Sequence, residues 1–275
     1  MHTRLTPLTG KLRALFVFVG ASLLIITAGC GTPNSPMTQP KTAPSVMDVA
    51  ASPSTTTPTV LLFVGTGTSS GDVSAVKTIL GDLKLSYATA TSSQLDGMSE
   101  SSLLKYKLFL MPGGNAVTIG SHLTVTATTT VHNAVVNGGM HYLGICAGGF
   151  FADNSIFNYL GITTPVYDFY ADHYKGVNKE AVEISQPDGT KLDQYWQDGP
   201  ELNGWGDIVG KYPNGSAAVV EGKSGKGWVI LSAVHPEAPA SWRTGMKFTT
   251  SVEVDNAYAE TLVKAALNET SLPHF

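Results

Sequence analysis

Met140-His141-Tyr142-Leu143-Gly144-Ile145-Cys146-Ala147-Gly148-Gly149 is the stretch on which the reading of this chain turns. An apolar run passes into a small-x-Cys-x-small pattern, the layout of a nucleophile elbow. The turn from strand to helix in such an elbow is sharp. The residues two before and two after the nucleophile therefore need to be small. The turn also sets the Cys146 sulfur at a helix N-terminus, where the dipole and free N–H groups favour thiolate over thiol.

Outward from the elbow, strands and helices alternate. Thr59 to Val64 is a continuous apolar run, as expected of a parallel strand buried on both faces. A Gly/Thr/Ser turn from Gly65 to Gly71 follows, and Asp72 is placed to cap a helix reaching about Leu83. Leu85 to Ala88 reads as a second strand. Leu103 to Met111 contains a third, ending at Pro112-Gly113-Gly114, and Thr124 to Asn137 reads as a helix. The rhythm predicts an α/β body, a parallel sheet covered by helices on both sides. Beyond Gly161 the pattern changes. Ala181 to Ile184 looks like a half-buried strand, and Ala217–Val220 and Trp228–Leu231 flank Glu221 to Gly227 as a C-terminal antiparallel hairpin. A helix from about Asn256 to Leu267 closes a single body spanning 59–272.

The chemistry gathers at strand ends. Cys146 is a soft nucleophile suited to carbonyl carbon. An oxyanion formed there would meet the Ala147 N–H, with a second donor from Gly113 or Gly114. His235, just past the strand Gly227 to Ser232, supplies an imidazole for taking and returning a proton. Glu237, one proline further, can fix its tautomer. Tyr195-Trp196 and Asp198-Gly199-Pro200 are candidates for the pocket wall. His122, His132, His141 and His173 lack metal-ligand spacing, so no metal is expected. Gly65-Thr66-Gly67 lacks the full glycine pattern and the lysine of a phosphate loop, so no cofactor is expected.

The start of the chain is of another kind. Arg4, Lys11 and Arg13 precede an apolar run from Ala14 to Ala28, the layout of a signal peptide over 1–29. Ile26-Thr27-Ala28-Gly29-Cys30 resembles a bacterial lipoprotein signal, with Cys30 as the lipidated first residue. Acyl chains there would hold the protein on a membrane without spanning it. Residues 30–58 then form a Pro/Thr/Ser-rich tether that cannot bury enough surface to fold. These features predict export to a bacterial cell envelope, with the body in the periplasm or outside the cell. Cys146 is then the one remaining cysteine of the two, without a disulfide partner. After the signal, 14 basic residues stand against 21 acidic ones, a balance of −7, which argues against nucleic acid as a partner.

Met111-Pro112-Gly113-Gly114, Tyr142 through Phe151, Asp198-Gly199-Pro200 and Gly225-Lys226-Gly227 leading to His235-Pro236-Glu237 occur in the order found in class I glutamine amidotransferase-like domains. The chain most resembles the type at the N-terminus of some biotin-protein ligases. The resemblance implies a flavodoxin-like α/β fold with an open parallel sheet, a Cys146 nucleophile, a His235 base and a Glu237 orienting acid. It also implies an oxyanion pocket from the Gly113 and Ala147 amides, acting on a small-molecule or peptide amide. Two departures stand out. No ammonia-accepting domain is attached, although a separate partner protein could serve, and export removes the body from ATP-dependent biosynthesis. No ligase catalytic portion is visible in the sequence, so ligase activity is not implied. Two other readings fit the same residues: a non-catalytic binding module, and a redox-linked thiol protein.

Overall fold

The computed structural model describes residues 57–154, 158–165, 167–170 and 178–275. The chain divides into two units, Met1–Ser52 and Pro53–Phe275, and the first lies wholly outside the described residues. The signal peptide, Cys30, the tether up to residue 56 and His173 lie outside them too. Among the described residues, no helix is long and apolar enough to cross a membrane.

Strand β1 (Val60–Phe63) is fully buried and leads through a short loop into helix α1 (Ser70–Asp82). The cap of α1 is Ser69, whose side chain accepts from the Asp72 N–H, so Asp72 lies inside the first turn and is not itself the cap. Strand β2 (Tyr87–Ala90) begins two residues later than the pattern of apolar residues indicated. Short helices α2 (Ser92–Asp96) and α3 (Glu100–Leu103) precede β3 (Leu108–Met111). Helix α4 (Ala116–Ser121) and α5 (Val125–Val136) follow, the latter capped by Thr124. Then β4 (His141–Ile145) runs into α6 (Ala147–Phe151).

The second half is mostly strand. It comprises β5 (Asp168–Phe169), β6 (Lys179–Ser185), β7 (Lys191–Gln197), β8 (Pro200–Glu201), β9 (Asp207–Lys211), β10 (Ala217–Ser224) and β11 (Gly227–Ser232). A 3₁₀ turn at Ala240–Arg243 and helix α7 (Val252–Asn268) complete it.

Nine strands form one sheet in the order β2-β1-β3-β4-β11-β10-β9-β6-β7. The first five are parallel, and β10, β9, β6 and β7 continue the sheet in antiparallel fashion. The C-terminal hairpin therefore belongs to the same sheet. Its second arm, β11, pairs parallel with β4, Ser232 opposite Ile145, and so brings the following loop to the edge where β4 ends. The hairpin turn is also tighter than the sequence indicated, with Ser224 paired to Gly227 across Gly225 and Lys226. Gly225 has φ +59°, and a Cβ there would lie 2.1 Å from the Val136 carbonyl oxygen, so only glycine fits.

Candidate active site

Where β4 meets α6, Cys146 has φ +49° and ψ −103°, a conformation rarely occupied by residues with a Cβ. The sequence tolerates it by leaving space on both sides. A Cβ on Gly144 would lie 2.4 Å from the Gly148 carbonyl oxygen, and one on Gly148 would lie 2.2 Å from that of Met111. The Cys146 N–H donates to the Ser232 carbonyl at 2.7 Å, tying the turn to the end of β11. Helix α6 has only five residues, so its dipole is a smaller source of field than the elbow motif alone implies.

His235 follows three residues after β11. Its N–H donates to the Tyr195 carbonyl at 2.8 Å, a β-bridge that pins the loop to β7. Its ring sits edge-on to Tyr195 and to Trp242, with centroids 5.7 and 5.8 Å away. Nδ1 lies 3.0 Å from Glu237 Oε1 and 3.0 Å from Asp72 Oδ1. Only the Glu237 contact has hydrogen-bond geometry; Asp72 Oδ1 has no hydrogen-bond partner among the described residues. All three side chains are buried.

Burial pulls the His235 imidazole down, but the charges of Cys146, Asp72 and Glu237 outweigh it and hold the ring well above its ordinary value. Burial pushes Asp72 up, yet His235 and the Ser69 hydrogen bond prevail and leave it below the usual carboxylate range. Glu237 goes the other way: burial raises it against the pull of His235.

Cys146, Asp72 and His235 line one cavity of about 1020 Å³, together with Gly114, Ala147 and aromatic rings that include Phe150 and Trp242. The Cys146 sulfur lies 3.5 Å from the Gln197 carbonyl, which accepts its hydrogen. The structure thus gathers Cys146, His235 and Glu237, with Ala147 and Gly114 at the cavity wall. Gly113 sits differently, behind the imidazole. A Cβ there would lie 2.1 Å from Asp72 Oδ1 and 2.7 Å from His235 Cε1. Of the aromatic pair, Tyr195 lines the cavity, whereas Trp196 faces the opposite side of β7 and packs edge-on to Tyr170 at 5.8 Å.

Asp72 is the functional-site residue that sequence reasoning missed. The available signal was two cap candidates, Ser69 and Asp72, at one helix start; a serine cap releases the carboxylate for other work. Asp72, His235 and Glu237 also form the one cluster among the described residues whose ligand-type atoms approach within 4.8 Å. Two of its three ligand-type atoms, Nδ1 and Glu237 Oε1, are already joined in a hydrogen bond at 3.0 Å.

Parallel strands flanked by helices, with the cavity at their carboxyl ends, give an α/β fold like that of a glutamine amidotransferase. More particularly, residues 58–165 match the family described as biotin-protein ligase, N terminal. The chain is similar in fold to a glutamine amidotransferase from Thermotoga maritima, at 14% identity over 76% of this chain and 97% of that one, TM-score 0.52. It also overlaps a glutamine amidotransferase from Methylobacillus flagellatus, at 13% identity over 79% and 96%, TM-score 0.46. A third is an exo-β-1,4-mannosidase from Opitutaceae bacterium strain TAV5, at 15% identity and TM-score 0.48, with 76% of this chain covered. The chain spans only 36% of that mannosidase. No curated protein matches the sequence.

Proposed function

We propose that the body is a thiol-dependent hydrolase of amide C–N bonds, with Cys146 as nucleophile, His235 as acid and base, and Glu237 as the group that orients the ring. One observation carries this reading. A cysteine held at positive φ on a strand–helix turn shares a cavity with a buried imidazole whose Nδ1 donates to a buried carboxylate. The name of the Thermotoga maritima neighbour agrees with it, though at 14% identity the likeness carries the fold alone.

The Cys146 thiolate attacks the carbonyl carbon, and the electron pair of the C=O bond moves to oxygen. Ala147 N–H, with Gly113 or Gly114, faces that oxyanion. Collapse breaks the C–N bond, the leaving nitrogen takes a proton from His235, and an S-acyl enzyme remains. Water, deprotonated by His235, then releases the carboxylic acid and restores the thiolate. A lipid on Cys30 would hold this body at the cell envelope, where peptide and envelope amides are available. Mass spectrometry of the mature N-terminus tests the anchor: an acylated Cys30 supports it, and an unmodified chain starting elsewhere refutes it.

The activity test is Cys146→Ala beside wild type on primary amides, dipeptides and envelope-type amides. Loss of product with the variant is expected. Equal turnover by both proteins, or none by either, would remove the hydrolase reading. A binding module is the second reading, favoured by a cavity far larger than one amide group needs. Under it, Cys146→Ala binds the same small molecules as wild type, and neither turns them over.

A further inference from the structure

We propose that Asp72 is a positioning residue for His235: a second buried carboxylate, acting by charge instead of by a hydrogen bond, that keeps the imidazole doubly protonated while the site rests. The inference rests on the reading of Cys146 and His235 as nucleophile and acid–base. It adds a fourth side chain to the three that the sequence motifs contain.

Geometry leads the argument. Asp72 Oδ1 and Glu237 Oε1 both lie 3.0 Å from the one Nδ1. That nitrogen carries a single hydrogen, and Glu237 receives it. Asp72 Oδ1 is left without a hydrogen-bond partner, in a residue 5% exposed. An unpaired buried carboxylate is expensive, and so is a neutral ring facing two of them. A positive ring removes both costs, because charge attraction at this distance does not require the oxygen to lie along the N–H direction.

The backbone is arranged to permit the contact. Asp72 sits in the first turn of the thirteen-residue helix α1, where negative charge is favoured. Ser69 takes over the capping, so the carboxylate is free to reach the His235 imidazole. Gly113 leaves the space that it needs, since a Cβ there would lie 2.1 Å from Oδ1. The titratable groups facing the ring are Asp72 from α1, Glu237 from its own loop, Cys146 from the elbow and Tyr195 from β7. All four favour the cation when charged, and the raised value of His235 agrees with that arrangement.

A cation already in place is a nearby positive charge, which favours a thiolate over a thiol. His235 then enters the reaction as the acid that protonates the leaving nitrogen. It becomes a base only after that proton has left.

Asp72→Asn tests this, as it keeps the shape and removes the charge. The readouts are the alkylation rate of Cys146 by iodoacetamide between pH 5 and 9, and ring-nitrogen NMR of ¹⁵N-histidine-labelled protein. Neither needs a substrate, so the inference stands or falls apart from amide hydrolysis. In wild type at pH 7.5, the His235 ring should carry protons on both nitrogens; a neutral tautomer overturns the proposal even if the variant does not fold. In Asp72→Asn, alkylation at pH 6 should fall about tenfold and recover towards pH 9, because the lost charge acts mainly on the ring 3.0 Å away. A profile that superimposes on wild type overturns it as well. Thr124→Ala, which loses the cap of the distant helix α5 and touches neither Asp72 nor Ser69, should leave the profile in place. Equal shifts in both variants would mean a merely structural role, which also sinks the idea.

Discussion

In the parallel half of the sheet, the strand ends carry Cys146, the Pro112-Gly113-Gly114 turn and the loop of His235. The antiparallel half supplies walls and clamps. β7 gives the Gln197 carbonyl to the sulfur and the Tyr195 carbonyl to the His235 N–H. It contributes the Tyr195 ring beside His235 but none of the three members of the Asp72, His235 and Glu237 cluster. The two halves meet at β11, which is parallel to β4 on one side and antiparallel to β10 on the other. A reactive loop is thus held from both directions. The division of labour implies that damage to the parallel half should remove chemistry, whereas damage to the antiparallel half should loosen the frame around it.

The largest effect expected follows from Glu237. Replacing it with alanine removes the acceptor that orients Nδ1, and amide hydrolysis should fall on the order of 10³-fold in kcat. Far-UV circular dichroism should stay native. A loss under threefold would mean that Asp72 alone orients the ring and that the chemistry is less tied to the His235 loop.

The next effect lies in the antiparallel half and should appear as stability. Asp255, at the start of α7, is buried and pairs with Arg243; it also accepts from Gln194 at 2.9 Å and Thr250 at 3.0 Å. The cluster ties β7 to the 3₁₀ turn and to α7. Asp255→Ala leaves Arg243 partly buried without that partner and should cost about 3–5 kcal/mol, read from urea unfolding. Loss of the alkylation profile of Cys146 without loss of stability would contradict the assignment of this half to framework.

The same contrast explains what could be read from the residues. β1 and β3 are continuous apolar runs and β4 departs from one only at His141, with every residue buried, so composition alone marks them. The elbow was legible because Gly144 and Gly148 are demanded by steric contact at a fixed spacing. β7 was not, since Lys-Leu-Asp-Gln-Tyr-Trp-Gln carries Asp193 and Gln194 into the interior. Their partners, Thr249 and Asp255, lie more than fifty residues away, and no local pattern announces them. Gly113 was legible as important but for another reason. The sequence pointed to an amide for an oxyanion, and the structure shows in addition the space that Asp72 needs.

Gly148→Ala probes the parallel half at smaller cost. The new Cβ would meet the backbone of Met111 at 2.2 Å, which forces β3 and α6 apart and should cost about 1–3 kcal/mol. Because the displaced atoms carry the elbow, Cys146 alkylation should slow together with the loss of stability. A stability change with unaltered alkylation would show that the elbow tolerates displacement.

A pH effect of similar or smaller size follows from His235. Its value in the folded state lies above that of the unfolded chain, so the folded form holds the proton more tightly. This contribution is complete below pH 6.5, the unfolded imidazole value, and is lost as pH rises through the folded value. Glu237, also raised, acts in the same sense from a lower pH. The urea midpoint should therefore decline on the alkaline side. A midpoint that rises with pH above 6.5 would contradict the charged ring.

The smallest effect belongs to the outer rim of the antiparallel half, where Lys191 on β7 bonds to Glu183 on β6 at 2.7 Å. Both side chains are largely in water, with 60% and 44% of their surface exposed, so solvent screens the attraction. Lys191→Ala should change stability by less than about 1 kcal/mol. It should leave the alkylation rate of Cys146 untouched, since the hairpin acts on the site through the opposite end of β7, at Tyr195 and Gln197. A shift in the alkylation profile would mean that the β6–β7 register is transmitted along the strand to the Gln197 carbonyl. The antiparallel half would then take part in the chemistry that the parallel half otherwise carries alone.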